Sequence, residues 1–302
     1  MEAVIGVESN VGVRRRVAAY VALTKPRIIE LLLVTTVPTM IVAEEGVPSV
    51  WLMIATVIGG TLAAGGANAI NMVVDRDIDA VMHRTRNRPL VTGEVTPTAA
   101  LVFALGLEAV SFLWLWGFVN LLSAVLAVSA TAFYVFVYTL WLKRRSTQNI
   151  VIGGAAGAVP VLVGWAAVTN DLSWAPLVLF AVIFFWTPPH FWALAIRYRD
   201  DYSAASVPML PSVAPERAVG INIVVYSVIV VGLSVVFGPV AGLGIGYLVA
   251  ALVSGAVFLA YAVLVLRSPT EANAMRLFGW SITYVVVLFA AMAVDEVARS
   301  GL

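Results

Sequence analysis

The sequence contains no cysteine and only two histidines, His83 and His190. The lack of cysteine excludes a disulfide, a thiolate nucleophile and a cysteine-ligated metal centre. Two histidines are also too few for a metal centre built from three imidazoles. Any metal ion held by this chain must therefore depend mainly on carboxylate and amide oxygens.

Charged residues are scarce as well. They make up 12% of the 302 residues, whereas hydrophobic residues make up 61%, and the mean hydropathy is +0.97. A soluble globular protein is usually about one quarter charged and about half apolar. The composition predicts an integral membrane protein whose main surroundings are the lipid bilayer, and we expect no nucleic-acid partner.

Uncharged stretches predict nine transmembrane helices, so the expected fold class is an all-α polytopic membrane bundle. A span needs roughly 20 apolar residues. The stretches 95–142 and 218–266 are of double length. The first is divided into two helices by turn residues near 117–120, and the second by Gly238 and Pro239 followed by Gly242, Gly244 and Gly246. The other five predicted helices cover about residues 28–43, 50–74, 149–168, 172–196 and 277–294.

Lysine and arginine predict the topology, because basic residues are retained on the cytoplasmic side. With the N-terminus inside, 17 of the 18 basic residues are cytoplasmic and only Arg299 is outside. We therefore expect the C-terminus outside. Residues 1–23 are expected to form a cytoplasmic tail with an interfacial turn near 17–23, residues 24–296 a single intramembrane domain, and residues 297–302 a C-terminal tail. The first apolar stretch is not followed by a small-residue cleavage pattern, so a transmembrane segment is favoured over a signal peptide.

The second predicted helix ends in a polar stretch, NAINMVVDRDIDAVMHRTRNRPL, residues 68–90. Asn71, Asp75 and Asp79 recur every four residues, so on a helix they share one face. Asp77 is offset by two residues and is expected to point away from that face. An ionised group at the edge of a membrane segment is costly and is usually functional.

A second acidic cluster follows the sixth predicted helix, in IRYRDDYSAASVPMLP, residues 196–211. Asp200 and Asp201 lie four helices after Asp79, and an even number of crossings returns the chain to the same face. Either aspartate alone could be a solvated carboxylate paired with Arg197 or Arg199. The shared face nevertheless favours one site that uses both clusters.

Carboxylate and amide oxygens suit Mg²⁺, which takes one or two carboxylates and completes its shell with water and substrate phosphates. Basic side chains can bind the remaining phosphate oxygens. The candidates on the predicted cytoplasmic face are Arg84, Arg86, Arg88, Lys143, Arg144, Arg197 and Arg199. These residues predict a metal and diphosphate site above an apolar bundle, although any one basic residue could serve only to set the topology.

The pattern resembles the intramembrane prenyltransferases of the UbiA superfamily, whose first motif, N-x-x-x-D-x-x-x-D, is matched by Asn71, Asp75 and Asp79. The closest resemblance is to the branch that farnesylates heme, and the similarity extends from about Leu23 to the end of the ninth predicted helix. Four blocks carry it: LTKPRIIELL (23–32), DRDIDAVMHRTRNRPLVTG (75–93), TPPHFWALAIRYRDDY (187–202) and VPMLP (207–211).

The resemblance implies farnesyl diphosphate as the donor, heme B as the acceptor, Mg²⁺ as the cofactor, and heme O and diphosphate as products. It also implies that Asn71, Asp75, Asp79 and Asp201 hold the metal, with Asp201 preferred to Asp200. The residues expected to bind substrate are Arg84, Arg88, Lys143, Arg144, Arg197, Tyr198, Asp200 and His83. In this chain Tyr198 stands where other members commonly have an aspartate, and Ser206 where a glycine is usual.

His190 lies in TPPHFW, where Pro188 and Pro189 are expected to break or kink the end of the sixth helix. The resemblance gives His190 a catalytic role, as a heme ligand, a propionate contact or a guide for the attacking water. It could instead be a hydrogen-bonded interfacial histidine. Two further intramembrane carboxylates, Glu30 and Glu108, are left outside the predicted site.

Two other functions stay open. A relative in the same superfamily could prenylate a different aromatic or polycyclic acceptor. A transporter would place its ion-binding residues near the bilayer midplane at broken helices, whereas both acidic clusters here lie at helix ends. The resemblance favours an enzyme of the cell membrane whose site faces the cytoplasm and whose product passes to a downstream heme-modifying membrane enzyme.

Overall fold

A computed structural model describes the backbone of residues 2–301 and the side chains of residues 12–26 and 34–301. The described chain is all helical, which confirms the predicted fold class. Its helices are α1 (Glu2–Leu23), α2 (Pro26–Glu44), α3 (Val50–Val74), α4 (Arg76–Val81), α5 (Pro97–Phe118), α6 (Leu121–Leu142), α7 (Asn149–Thr169), α8 (Trp174–Arg197), α9 (Arg199–Ala204), α10 (Leu210–Val213), α11 (Glu216–Val240), α12 (Ile245–Arg267) and α13 (Glu271–Ser300).

Eight helices in the described part of the chain are long and apolar enough to cross a membrane, namely α3, α5, α6, α7, α8, α11, α12 and α13. Large apolar side chains such as Trp174 and Ile245 lie on the outer surface, as lipid contact requires. The first predicted span falls in α2, where the described apolar segment is only Val34–Glu44. The count of nine spans and the orientation of the termini therefore stay predictions, and the Glu30 side chain lies outside the described residues.

Both double-length stretches divide where the turn residues predict. Asn120 separates α5 from α6: its Oδ1 accepts from the Ser123 N–H at 2.8 Å, and its Nδ2 donates to the Ala166 carbonyl at 2.7 Å. Gly242 separates α11 from α12 with φ of +67°, a conformation that glycine adopts without steric cost. These residues let consecutive helices turn back and pack as neighbours.

The long helices close into a ring in chain order, because α13 packs back on α2. Additional contacts join α2 to α7 and α8 to α13 across the ring. α7 and α8 have the largest buried shares of their spanning segments. α4 and α9, which carry the acidic clusters, follow α3 and α8 at the same end of the bundle.

Two local predictions are wrong. Residues 2–23 form one helix without a turn near 17–23, because Ala19 and Leu23 pack in a cluster with Leu90 and Val95 of the loop after α4. The predicted break at Pro188 and Pro189 does not occur, because α8 runs through both residues to Arg197; the alternative, a kink, stays a prediction. Proline removes a backbone donor, but membrane helices tolerate this loss where neighbouring segments surround them, and both prolines are buried.

Close packing between α11 and α12 gives a stability prediction. A methyl group on Gly220 would lie 2.8 Å from the Leu266 Cα, which is backbone that cannot move alone. We expect Gly220→Ala to lower the unfolding free energy by about 1–3 kcal/mol, as overpacking does, and to lower the thermal midpoint in detergent. The matched control is Gly232→Ala on the same helix, where nothing lies within 4 Å; an equal loss there would contradict the packing explanation.

Candidate active site

The first acidic motif keeps one helical face across the junction of α3 and α4. The Asp75 N–H donates to the Asn71 carbonyl at 2.9 Å, and the Asp79 N–H donates to the Asp75 carbonyl at 2.8 Å. The side chains of Asn71, Asp75 and Asp79 are therefore brought together, and all three residues are buried. The Asn71 Nδ2 donates to the Asp75 Oδ2 at 2.7 Å, so amide and carboxylate form one connected group.

Each member of this motif has its own basic partner. The Lys25 Nζ donates to the Asn71 Oδ1 at 2.9 Å, and the Arg88 guanidinium donates to the Asp79 Oδ2 at 2.5 Å. Lys143 forms an ion pair with Asp75, which is completely buried. Lys143 and Arg88 were predicted substrate ligands, whereas Lys25 was not predicted. Its only sequence signal was its place in the LTKPRIIELL block.

Lys25 is influenced by charges of both signs, because Asp79 and Asp75 partly offset the effect of the neighbouring cations. Burial, together with the charges of Arg88 and Lys143, lowers the pKa of Lys25 to about 7. Asp77 pairs with a single cation. The Arg144 guanidinium binds both of its carboxylate oxygens at 2.7 Å and lowers the pKa of Asp77 to about 2. Asp77 points outward, as its offset in the motif predicts, and it holds Arg144, which had been predicted to bind the substrate.

A π-helical segment of α6, Phe133–Leu142, brings Thr139 and Lys143 to the motif. Backbone bonds here span five residues, as in the Lys143 N–H that donates to the Tyr138 carbonyl at 2.8 Å. Such segments are rare and occur frequently at functional sites. The Thr139 hydroxyl accepts from the Asn71 Nδ2 at 3.1 Å and donates to the Tyr134 carbonyl at 2.9 Å, so it fixes the direction of the Asn71 amide.

This geometry gives a prediction for Thr139, which is completely buried. Thr139→Val removes the hydroxyl while keeping the shape, and we expect kcat/KM to fall by roughly 10-fold or more, because a buried donor on Asn71 loses a partner. Thr139→Ser retains the hydroxyl and should stay within about threefold of the wild type by the same reasoning. Equal activity of the two variants would show that Thr139 does not position Asn71.

The second acidic cluster holds the loop after α4. The Asp201 carboxylate accepts from the His83 N–H and the Arg84 N–H, each at 3.2 Å, whereas Asp200 is exposed. Among the described side chains, no three carboxylates or imidazoles form a group able to hold a metal ion. The predicted metal set is thus divided into Asn71, Asp75 and Asp79 on one side and Asp201 on the loop.

Tyr198 lies between two of the predicted basic ligands. The Arg84 guanidinium is 5.6 Å and the Arg197 guanidinium 5.7 Å from the centre of the Tyr198 ring, within the range of a cation–π contact. Arg197 also pairs with Glu271 at 3.2 Å. The aromatic ring therefore orients two cations at a position where an aspartate is common in the superfamily.

His190 lies apart from both clusters, inside α8. Its ring stacks on Trp186 at 4.3 Å and on Phe278 at 4.6 Å between ring centres. Its Nδ1 is 2.7 Å from the Ser281 Oγ. A ring that is stacked on both faces and hydrogen-bonded at one nitrogen is typical of a histidine with a structural role. The catalytic role of His190 stays a prediction.

One carboxylate oxygen of the motif is available to bind a cation. The Asp75 Oδ1 is buried and has no hydrogen-bond partner, and an unpaired buried carboxylate oxygen is costly. Arg144 approaches it only to 3.9 Å. The motif offers the carboxylate oxygens of Asp75 and Asp79 and the amide oxygen of Asn71, which here accepts from Lys25, and such a donor set is of the kind that Mg²⁺ prefers.

Comparison with known proteins agrees with this geometry. Residues 32–291 match the model of the UbiA prenyltransferase family. The chain is 53% identical over 291 residues to a protein of Clavibacter sepedonicus named protoheme IX farnesyltransferase, covering 95% of this chain and 94% of that protein.

Two solved structures share the fold. A digeranylgeranylglyceryl phosphate synthase has a TM-score of 0.76 at 17% identity, covering 94% of this chain and 99% of that one. A UbiA homologue from Archaeoglobus fulgidus, bound to GPP and Mg²⁺, has a TM-score of 0.60 at 17% identity, covering 91% and 99%. At this level of identity the two structures establish the architecture only.

Proposed function

This chain belongs to the UbiA prenyltransferase family, and from that premise we propose that it transfers the farnesyl group of farnesyl diphosphate to a vinyl group of heme B. Water adds in the same reaction, and the products are heme O and diphosphate. The observation that carries the proposal is the buried motif, in which Lys25, Lys143 and Arg88 surround two carboxylates and an unpaired Asp75 oxygen. Heme B is proposed as the acceptor because of the full-length similarity to a protoheme IX farnesyltransferase.

The donor diphosphate is held at the motif. Asn71, Asp75 and Asp79 would hold Mg²⁺, which neutralises the diphosphate and stabilises it as a leaving group. Lys143 and Arg88 lie beside the same carboxylates and donate to the leaving oxygens as negative charge develops there. Arg84 lies on the loop that Asp201 holds by its backbone amides, and its guanidinium faces the Tyr198 ring. This gives Asp201 a positioning role in addition to its proposed metal contact.

The reaction needs no protein nucleophile. The allylic carbon–oxygen bond breaks, the farnesyl cation forms a carbon–carbon bond with the vinyl group, and water captures the resulting cation and releases a proton. The half-buried, stacked rings of Tyr134 and Tyr138, 5.4 Å apart, lie on the π-helical segment beside the motif. Aromatic faces attract cations, and the apolar bundle excludes water from the first cation.

The proposed topology follows the distribution of basic residues. Nine spans place both acidic clusters on the cytoplasmic face of the cell membrane, with residues 24–296 as one catalytic domain. Heme O is apolar enough to remain in the bilayer, so a membrane enzyme that modifies heme further is the fitting next partner.

The test is to incubate purified protein in detergent with heme B, farnesyl diphosphate and Mg²⁺ and to analyse the heme by mass spectrometry. We expect heme to gain farnesyl plus the elements of water, and ¹⁸O from labelled water to appear in the new hydroxyl group. If another aromatic acceptor gave product and heme B gave none, the assignment of heme B as the acceptor would be wrong. Ion flux in proteoliposomes without any transfer would instead support a transporter.

A further inference from the structure

Lys25 occupies a backbone conformation that requires support from the rest of the fold. It lies between α1 and α2 with φ of 52° and ψ of 62°, a left-handed conformation that is rare for residues other than glycine. The following Pro26 makes helical conformations of this residue less favourable still. Strained residues of this kind persist only where their surroundings hold them, and they cluster at functional sites.

The neighbouring helix α3 holds this turn at two points. The Asn68 Nδ2 donates to the Thr24 carbonyl at 3.1 Å, and the Asn71 Oδ1 accepts from the Lys25 Nζ at 2.9 Å. The Leu23 side chain, two residues before Lys25, is completely buried. The fold therefore directs the Lys25 ammonium to Asn71, the first residue of the motif.

The partner of Lys25 is chemically unusual for an ammonium group. Among the described side chains, Lys143 and Arg88 have carboxylate partners within 4.0 Å, whereas Lys25 has only the neutral Asn71 amide. An ammonium group has three N–H donors, and a neutral oxygen does not balance its charge. Among the described side chains, Lys25, Lys143 and Arg88 thus bring three cationic groups to a motif with two carboxylates, Asp75 and Asp79, and the third can be matched by an anion from outside the chain.

We propose that Lys25 has two alternative partners, the Asn71 oxygen in the free protein and an oxygen of the donor diphosphate in the substrate complex. This inference rests on the proposed function, because it takes a prenyl diphosphate as the ligand of the site. In the free protein the ammonium occupies the amide oxygen that the metal needs. When the diphosphate binds, Lys25 turns to it and releases Asn71 to the metal.

If Lys25 has these two partners, replacing it must have opposite effects on metal binding and on donor binding. Without the ammonium, no other group competes with a divalent cation for the Asn71 oxygen, and one positive charge fewer repels that cation. Metal binding in the absence of donor therefore becomes tighter. The donor loses a charge-assisted hydrogen bond, so its binding becomes weaker. Damage to the fold would weaken both.

The test uses full-length Lys25→Met and Lys25→Asn; asparagine is included because it tolerates left-handed backbone. Mn²⁺ titrated without donor and followed by electron paramagnetic resonance should bind at least about 3-fold more tightly to both variants, because a like charge is removed. Calorimetry with farnesyl diphosphate at saturating Mg²⁺ should give a dissociation constant about 10- to 100-fold higher. The control Arg145→Met removes an exposed charge near Lys143 and should leave both constants within about twofold of the wild type.

Weaker binding of both Mn²⁺ and farnesyl diphosphate would overturn the inference, as would an unchanged donor affinity. Binding of farnesyl monophosphate, which offers fewer anionic oxygens, should weaken less than that of the diphosphate in the same variants. The acceptor does not enter these measurements. Wild-type protein that binds farnesyl diphosphate but makes no heme O would disprove the proposed acceptor and leave the two-partner role of Lys25 supported by its opposite shifts.

Discussion

Replacing Asp75 by asparagine is expected to reduce farnesyl transfer by about 10³-fold, a loss of the size seen when one charge-stabilising group is removed from a reaction centre. Asp75 is completely buried, pairs with Lys143, and carries a buried oxygen, Oδ1, that lacks a hydrogen-bond partner. The amide of asparagine cannot neutralise a divalent cation. Initial rates with saturating donor and heme B measure the loss.

The same substitution also leaves the Lys143 ammonium without its carboxylate, and breaking a buried ion pair costs about 3–5 kcal/mol. A double variant separates the two effects. Asp75→Asn with Lys143→Met removes both charges, so the thermal midpoint should recover at least partly. Activity should not recover, because the metal and the diphosphate each lose a ligand. Recovered activity in the double variant would show that Asp75 serves stability alone.

Asp77→Asn is the matched control, since it makes the same chemical change two residues away. The Asp77 side chain is 65% exposed and binds Arg144 on the outer side of the motif. Exposed ion pairs contribute little to stability, so both the activity and the thermal midpoint should stay close to those of the wild type. A loss equal to that of Asp75→Asn would contradict the assignment of the two aspartates to different faces.

The grouping of Asn71, Asp75 and Asp79 could be predicted from sequence because it depends only on local geometry. A spacing of four keeps residues on one helical face, and the backbone bonds at Asp75 and Asp79 continue that geometry past the end of α3. The breaks at Asn120 and Gly242 are equally local, because each depends on the capping or turning ability of one residue. Local rules were therefore sufficient for these elements.

The remaining parts of the site depend on tertiary contacts. Thr139 meets Asn71 only because part of α6 is π-helical, and no residue pattern in the sequence indicated this change of period. Lys25 meets Asn71 across 46 positions of the chain. The metal role of Asp201 stays a prediction, but its carboxylate also binds the backbone amides of His83 and Arg84, which was not predicted. A backbone partner of this kind leaves no signature in the residue types.

Pro188 and Pro189 show the limit of a local rule in a membrane helix. Proline ends many helices in water because the freed backbone groups and the changed geometry are not compensated. In α8 the flanking Trp186 and Trp192 are buried, and Trp186 donates to the Ser281 carbonyl of α13 at 2.9 Å. Packing against α13 and the other neighbours holds the helix continuous. Tertiary contacts therefore overrode the sequence signal.

Removal of divalent metal is expected to stop farnesyl transfer, with a fall of about 10³-fold in the presence of excess EDTA. A diphosphate placed at the motif faces Asp75 and Asp79, and two like charges 4 Å apart repel by about 4 kcal/mol at a protein surface. Lys143 and Arg88 offset this repulsion only in part, because each is already paired with one of those carboxylates. Asn71, Asp75 and Asp79 would hold the metal ion, and its positive charge would offset the remaining repulsion.

Calorimetry should show the same dependence at the binding step. Farnesyl diphosphate should bind at least about 100-fold more weakly in EDTA, the equivalent of about 3 kcal/mol, whereas farnesol, which lacks the diphosphate, should bind equally well with and without metal. Added Mg²⁺ should restore transfer, and Ca²⁺ should restore less, because it is larger and takes six to eight oxygens. Transfer that survives exhaustive chelation would show that Lys25, Lys143 and Arg88 are sufficient to bind the diphosphate. The motif would then be a diphosphate site that works without metal.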